Sequence, residues 1–229
     1  MNVAVILSGG TGTRMNLSIP KQYVEVCGKP IIGYSLETFQ RANSVDRFVI
    51  VCHESWREYL SDFIRKSGLT KFVGFADSGE SRQESVLNGL TFCKSFAKAD
   101  DVVLLHDAAR PQVTEKLIDS LLDLGEYDGK LPVIPVKDTI YYSENGSDIH
   151  QLLHRDALFA GQAPESFVFG KYLSVNESVS EEELRATRGS SEIAFRHGMR
   201  IGLIPGDENN YKITTPVDLE KFQTATEGK

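Results

Sequence analysis

Short apolar runs alternate along the chain with segments whose apolar residues recur every three to four positions. Six runs read as buried strands: 3–7 (VAVIL), 47–52 (RFVIVC), 71–75 (KFVGF), 101–105 (DVVLL), 131–136 (LPVIPV) and 200–204 (RIGLI). Residues 30–40, 55–67, 81–96 and 114–124 carry helical spacing between them. This alternation predicts βαβ units, a mostly parallel sheet with helices on both faces, and a ligand crevice where loops leave the strands' carboxyl ends. One segment breaks the rhythm. Residues 138–160 (DTIYYSENGSDIHQLLHRDALFA) place an Asn145-Gly146 hairpin signal after an alternating run, which predicts an arm inserted in the α/β core. A long surface loop is the alternative.

Composition narrows the class. With 229 residues, 41% hydrophobic and 25% charged, the chain reads as one globular domain over 1–229. Its net charge of −7 argues against sequence-independent nucleic-acid binding, which needs a dense positive surface. A small anionic ligand needs only local positive charge. Cys27, Cys52 and Cys93 lack zinc-site spacing, and Cys52 and Cys93 lie in apolar surroundings that mark them as core. No basic segment precedes the first apolar run, and no run approaches the ~18 residues of a membrane span. Neither signal peptide nor membrane association is expected, and the cytoplasm is the expected compartment.

Four places carry candidate chemistry. Leu7-Ser8-Gly9-Gly10-Thr11-Gly12-Thr13-Arg14-Met15 follows the first strand. Glycines there let backbone N–H groups approach a phosphate chain, although the spacing is neither a Walker A loop nor G-x-G-x-x-G, and a plain tight turn is equally open. Arg14 ends the loop, and Lys21 follows a stiffening proline in Ile19-Pro20-Lys21-Gln22-Tyr23. Two held cations beside N–H donors suit a triphosphate attacked at its α-phosphorus, because they stabilise the added charge of the transition state. A solvated surface lysine is the bland alternative for Lys21.

In His106-Asp107-Ala108-Ala109-Arg110-Pro111, Asp107 stands at a strand's carboxyl edge. It can hold Mg²⁺ beside phosphate oxygens, bond substrate hydroxyls, or cap the next element. His106 reads as a packed histidine, and Arg110 as a partner of Asp107 or a receiver of an anionic acceptor. In the segment from Ser78 to Leu90, Ser81 and Glu84 have capping-box spacing, while Ser85 and Glu80 stay open as readers of a base edge. Lys212 precedes a C-terminal helix start, with surface and functional roles both open.

Taken in order, LSGGTGTRM, PKQY, GESRQESVLNGL, HDAARP, PVKDTI, GQAPESF and NYKITTPVDL resemble the 2-C-methyl-D-erythritol 4-phosphate cytidylyltransferases and their ribitol 5-phosphate relatives across essentially the whole chain. The resemblance implies a Rossmann-like α/β nucleotidyltransferase with a protruding β-arm that crosses to the partner in a homodimer. It implies an enzyme that converts CTP and a polyol phosphate, with Mg²⁺, to a CDP-polyol and pyrophosphate by direct in-line attack. Carried onto this chain, Arg14, Lys21 and Lys212 match the catalytic cations. Leu7, Ser8, Gly9, Gly10, Thr11, Gly12, Thr13, Gly79, Glu80 (often Asp in relatives) and Ser85 match the nucleotide pocket. Asp107 and Arg110 match the acceptor and metal region, with Asp107 as the metal ligand; Thr139 and Arg155, on the arm, match residues that reach the acceptor in the neighbouring subunit.

Three departures fall in the acceptor half. The usual Gln-Thr-Pro-Gln is Gln162-Ala163-Pro164-Glu165, a lysine is replaced by Tyr141, and a Thr-Asp pair either gives way to Arg188-Gly189-Ser190-Ser191-Glu192 or is displaced by an insertion near Thr187. The double-alanine form of HDAARP favours methylerythritol phosphate over ribitol 5-phosphate, whose enzymes often carry His-Asp-Ser-Val-Arg-Pro. Ribitol 5-phosphate, another alditol phosphate or a phosphonate are the alternatives. From another class, a silent nucleotide-binding protein is opposed by Arg14 and Lys21, and a dehydrogenase by the glycine spacing.

Overall fold

The computed structural model describes residues 1–10 and 19–228. Strand β1 (Asn2–Leu7) alternates its side chains between two cores. Chain order then gives β2 (Glu25–Val26), β3 (Lys29–Pro30), α1 (Ile31–Arg41), β4 (Arg47–Cys52), α2 (Arg57–Lys66), β5 (Phe72–Asp77), α3 (Arg82–Cys93), β6 (Val102–Asp107) and α4 (Glu115–Ser120). The second half holds β7 (Gly129–Pro135), β8 (Tyr141–Tyr142), β9 (Gln151–Leu152), β10 (Phe159–Gly161), β11 (Glu165–Val168), α5 (Phe169–Ser178), α6 (Glu181–Ala186), α7 (Ser190–Arg196), β12 (Ile201–Pro205) and α8 (Pro216–Glu227).

The main sheet runs β10-β7-β11-β6-β1-β4-β5, with β12 beside β7. Strands β6, β1, β4 and β5 are mutually parallel, whereas β11 is antiparallel to both β6 and β7. From β1 the chain steps outward to β4 and β5, then returns to the other side of β1 as β6. That reversal opens a crevice at the carboxyl ends of β1 and β6.

The two-residue alternation sorts the core. Ala4 and Ile6 pack with Leu36, Phe39, Leu60 and Ile118, contributed by α1, α2 and α4. Val3 and Val5 pack on the other face with Val86, Leu90, Tyr172 and Ile193, from α3, α5 and α7. Gly89 lets α3 sit close against the sheet: a Cβ there would lie 2.5 Å from Val5 Cγ1 and 2.9 Å from Val51 Cγ2. Helix α8 starts at a Thr215–Asp218 capping box with Pro216 first in the helix, and buries Phe222 against Ile31 and Ile213. Cys52 and Cys93 are buried and Cys27 is exposed. No helix among the described residues is long and apolar enough to cross a membrane.

Each of the six apolar runs falls on a strand of the main sheet, with β6 extending two residues past expectation to include His106 and Asp107. The four helical segments hold α1 to α4, although α1 runs one residue further to Arg41, α3 stops at Cys93 and α4 at Ser120. Strands β8 and β9 pair as a hairpin, Tyr141 opposite Leu152, closed by Gly146 at φ +72° with Asn145 Oδ1 accepting from the N–H groups of Ser147 and Asp148. The boundary at 160 needs correction. Phe159 and Ala160 already pair with Pro135 and Ile134 of β7, so the hairpin is the outer end of the β7–β10 ladder.

Candidate active site

The loops that leave β1, β4, β5 and β6 surround a cavity of about 590 Å³, with Lys212 completing its wall. Around the glycine loop the hydrogen bonds of Ser8, Gln22 and Tyr23 join neutral groups. Gln22 donates its amide to the carbonyls of Ser8 (2.8 Å) and Gly10 (2.7 Å). The Ser8 hydroxyl donates to Tyr23 Oη (2.9 Å), and that hydroxyl donates to the Ser8 carbonyl (3.1 Å). These bonds sew the 3-10 turn Lys21–Tyr23 to the glycine loop and bring Lys21 to the cavity wall. Tyr23 stacks on Trp56 at 4.0 Å, and burial pushes its hydroxyl well above the ordinary phenol range, so it stays neutral. Gly9 meets the next loop closely; a Cβ there would lie 2.4 Å from Ser78 Cβ.

The loop before α3 is fixed in the same way. Ser81 Oγ accepts from the Glu84 N–H (3.1 Å) and Glu84 Oε2 from the Ser81 N–H (2.9 Å), the capping box its spacing predicts. The Gly79 N–H donates to Ser85 Oγ (2.9 Å), which donates to the Ser81 carbonyl (3.0 Å).

At the end of β6 the contacts are ionic. Asp107 receives Lys212 Nζ on Oδ2 at 2.9 Å, Arg82 Nε on Oδ1 at 3.3 Å, and Arg110 Nε near Oδ2 at 3.7 Å. Burial works to raise the Asp107 carboxyl, but Arg82, Lys212 and Arg110 outweigh it and hold the group far below the usual carboxylate range. Arg82 also donates Nη1 to Ser190 Oγ (2.7 Å) and lies 3.6 Å from Glu165 Oε1. Glu165 in turn accepts from the Ser191 N–H (2.8 Å) and from the Ser191 hydroxyl. Two of the three departures therefore touch each other.

Leu7, Gly9, Gly10, Lys21, Gly79, Glu80, Ser85, Asp107 and Lys212 all line the cavity, and Arg110 stands behind Asp107. Ser8 does not line the cavity. Its N–H bonds the Val51 carbonyl (2.8 Å) and its hydroxyl and carbonyl are consumed by Tyr23 and Gln22, so it lies behind the wall. Glu80 lines the rim but turns its carboxylate to Arg185 at 3.0 Å. Thr11, Gly12, Thr13 and Arg14 lie outside the described residues. Thr139 and Arg155 are exposed on the arm and do not line this chain's cavity. His106 is fully buried beside Phe39, and burial lowers its imidazole to about 3, which makes it a neutral core group.

Arg82 is the residue sequence reasoning missed. The available signal was its place directly after the N-cap Ser81, in a loop already assigned to the site.

Asp107, the expected metal ligand, is engaged by cations here. Both of its oxygens face cations, so a Mg²⁺ ligated there would stand against three positive charges. Among the described residues, no group of three or more His, Cys, Asp or Glu is placed to hold a metal.

A glycine loop after β1, a lysine sewn to it and cations at the carboxyl end of β6 equip the switch point of this sheet for a polyphosphate, the arrangement of a Rossmann-like nucleotidyltransferase. The family model for 2-C-methyl-D-erythritol 4-phosphate cytidylyltransferase (IspD) matches residues 2–226. The ribitol-5-phosphate cytidylyltransferase of Streptococcus agalactiae serotype III is 32% identical over 225 residues, covering 97% of this chain and 94% of that protein. The 2-C-methyl-D-erythritol 4-phosphate cytidylyltransferase of Rubrobacter xylanophilus is 38% identical over 220 residues, covering 95% and 91%. The Francisella tularensis IspD structure superposes with a TM-score of 0.80 at 25% identity, covering 97% of this chain and all of that one. A synthase structure from Anaerococcus prevotii gives 0.82 at 22% identity over 100% and 96% of the two chains, which speaks to fold alone. The chain belongs to the IspD family of CTP-dependent cytidylyltransferases. Membership sets aside the silent nucleotide-binding and dehydrogenase alternatives.

Proposed function

We propose that this enzyme transfers CMP from CTP to 2-C-methyl-D-erythritol 4-phosphate, releasing pyrophosphate in the synthesis of isoprenoid precursors. One observation carries the choice of acceptor. Ala108 and Ala109 line the cavity beside Asp107, an apolar wall that suits a methyl-bearing polyol. The relatives carry both acceptor names and so do not choose between them. A second reading, ribitol 5-phosphate or another alditol phosphate or phosphonate, is favoured by the Glu165–Ser191 contact, because it rebuilds the acceptor side with residues the family pattern lacks.

In this reading an oxygen of the acceptor phosphate attacks the α-phosphorus of CTP, and the bond to the bridging oxygen breaks as pyrophosphate leaves with the electron pair. The acceptor is already a nucleophile at neutral pH, so the chain's residues act by placement and charge. Lys21, with Arg14, holds the triphosphate and the charge that grows on it; Lys212 faces the reacting phosphates, and Arg110 supports the acceptor side from behind Asp107. Mg²⁺ bound with the nucleotide would offset charge on the triphosphate, and Asp107 holds Arg82, Lys212 and Arg110 in place. The arm is read as the homodimer contact, through which Thr139 and Arg155 reach the partner's crevice in a cytoplasmic enzyme.

Pyrophosphate release with CTP and Mg²⁺ tests the reading across methylerythritol 4-phosphate, ribitol 5-phosphate, other alditol phosphates and small phosphonates. The expected kcat/KM for methylerythritol phosphate exceeds that for ribitol phosphate at least ~10-fold, the scale on which one methyl group in a fitted pocket discriminates. The reverse order assigns the second reading.

A further inference from the structure

Lys212 sits on a connection between β12 and α8 that has no strand or helix of its own. Its placement therefore depends on what grips that connection. Gln162, buried at 5% exposure, donates Nε2 to the Asp207 carbonyl (2.8 Å) and accepts on Oε1 from the Asp207 N–H (3.0 Å). The side-chain amide thus makes both bonds of a peptide pair with one backbone residue. Gly206 provides the room, since a Cβ there would lie 2.5 Å from Gln162 Oε1. Further along, the fully buried Asn210 donates Nδ2 to the Ala163 carbonyl (2.8 Å), and its own carbonyl accepts from Arg110 (2.7 Å). The Ile213 N–H closes the stretch on the Ala109 carbonyl at 2.8 Å.

These grips lead back to the arm. Gln162 follows β10 directly, and Lys137, just past β7, pairs with Glu208 of the same connection at 2.5 Å. Both roots of the arm thus hold the segment that ends in Lys212. The Lys137–Glu208 pair is exposed on both sides and adds little, so the buried amide is the grip that counts.

We propose that Gln162 is a positioning residue: its paired bonds to Asp207 set the Lys212 connection in place and tie Lys212 to the root of the arm. The inference rests on the reading of Lys212 as a cation that faces the reacting phosphates. A displacement of about 1 Å at a reacting centre costs on the order of 10²-fold in rate. Loss of the clasp therefore acts on turnover and spares CTP binding, which the loop side supports.

The test compares kcat and the KM for CTP in Gln162→Leu, Gln162→Glu and Lys212→Ala, with cooperative thermal unfolding as the check on folding. Gln162→Leu is expected to lower kcat roughly 10- to 100-fold, with the KM for CTP unchanged within about twofold. Gln162→Glu keeps the acceptor for the Asp207 N–H but sets a carboxylate against the Asp207 carbonyl. Protonation restores the donor, so its kcat relative to wild type rises as pH falls, a trend Gln162→Leu does not share. Wild-type kcat in both Gln162 variants beside an inactive Lys212→Ala overturns the clasp and leaves the role of Lys212 standing. An active Lys212→Ala overturns that role and the inference with it. Should Gln162→Leu lose cooperative unfolding, the Gln162→Glu ratio decides, and a ratio flat with pH overturns the proposal.

Discussion

The loop side of the crevice and the carboxyl end of β6 are built from different forces. Gln22, Tyr23, Ser81 and Ser85 hold the loops with hydrogen bonds that, apart from the Glu84 arm of the capping box, join neutral groups. Asp107, Arg82, Arg110, Lys212 and Glu165 hold the other side with charges. Neutral bonds with short reach fix a shape and are indifferent to salt. A cluster of three cations and two carboxylates fixes a charge, and its partners can be exchanged when a phosphate enters. The crevice therefore joins a preformed cradle to an exchangeable ion cluster, which suits a reaction that binds one large polyphosphate and a smaller, variable acceptor.

The sharpest way to break that contrast is Asp107→Asn. It leaves Arg82, Arg110 and Lys212 with Glu165 as the one remaining carboxylate of the cluster. Removing one partner of a buried ion cluster costs about 3–5 kcal/mol, and urea or thermal denaturation at neutral pH is expected to register a loss of that order. Acid supplies a second readout. The folded carboxyl lies below its ordinary value, so its stabilisation is complete above an unfolded value near ~4 and is lost as pH falls from there toward the folded value. Wild type should lose stability over that window and Asp107→Asn should lose less. Equal stability and equal acid profiles would mean that the cluster holds nothing together.

On the loop side, Lys21→Ala is expected to lower turnover at least ~10²-fold, the scale of removing one transition-state stabiliser. The fold should survive the change, because Gln22 and Tyr23 stitch the turn to the glycine loop. Steady-state kinetics with a denaturation curve separates the two effects. Turnover near wild type would remove Lys21 from the mechanism and leave the loop side a binding cradle alone.

The contrast also explains what the sequence could reveal. Strands β1, β4 and β6 announce themselves because each is a run of about five apolar residues, and the capping boxes at Ser81 and Thr215 because both partners lie within one turn. On the loop side the glycine run and PKQY are legible as motifs, although the bonds across 14 and 15 residues that join them are not. Nor is the ion cluster. Arg82 meets Asp107 across 25 residues and Ser190 across 108, and no local pattern encodes either distance. Strands β10 and β11 and helices α6 and α7 are three to seven residues long, too short for periodicity to register. Ser8 shows the opposite case: its motif is legible, but the engagement of its N–H, carbonyl and hydroxyl by Val51, Gln22 and Tyr23 is not.

Glu165→Gln sharpens the contrast with the smallest perturbation. Glutamine keeps a carbonyl oxygen for the Ser191 N–H, so the tie to α7 survives, while Arg82 loses one of its two carboxylates and keeps Asp107. The cluster then gains one unit of positive charge without losing a hydrogen-bonded anchor. An acceptor phosphate approaching from that side should bind more tightly, with its KM falling about two- to fivefold, the scale of one partly screened charge. The KM for CTP should hold, because the triphosphate is read on the loop side. Added salt should shrink the gain in acceptor binding, whereas its effect on CTP, held by Lys21 and Arg14, should be the same in wild type and variant. Initial rates at two ionic strengths, with each substrate varied in turn, measure all four quantities. If both KM values move together, the two sides share one electrostatic field and the division drawn between them fails. If the acceptor KM alone moves, Glu165 sets how strongly this crevice attracts a second anion once the nucleotide is in place.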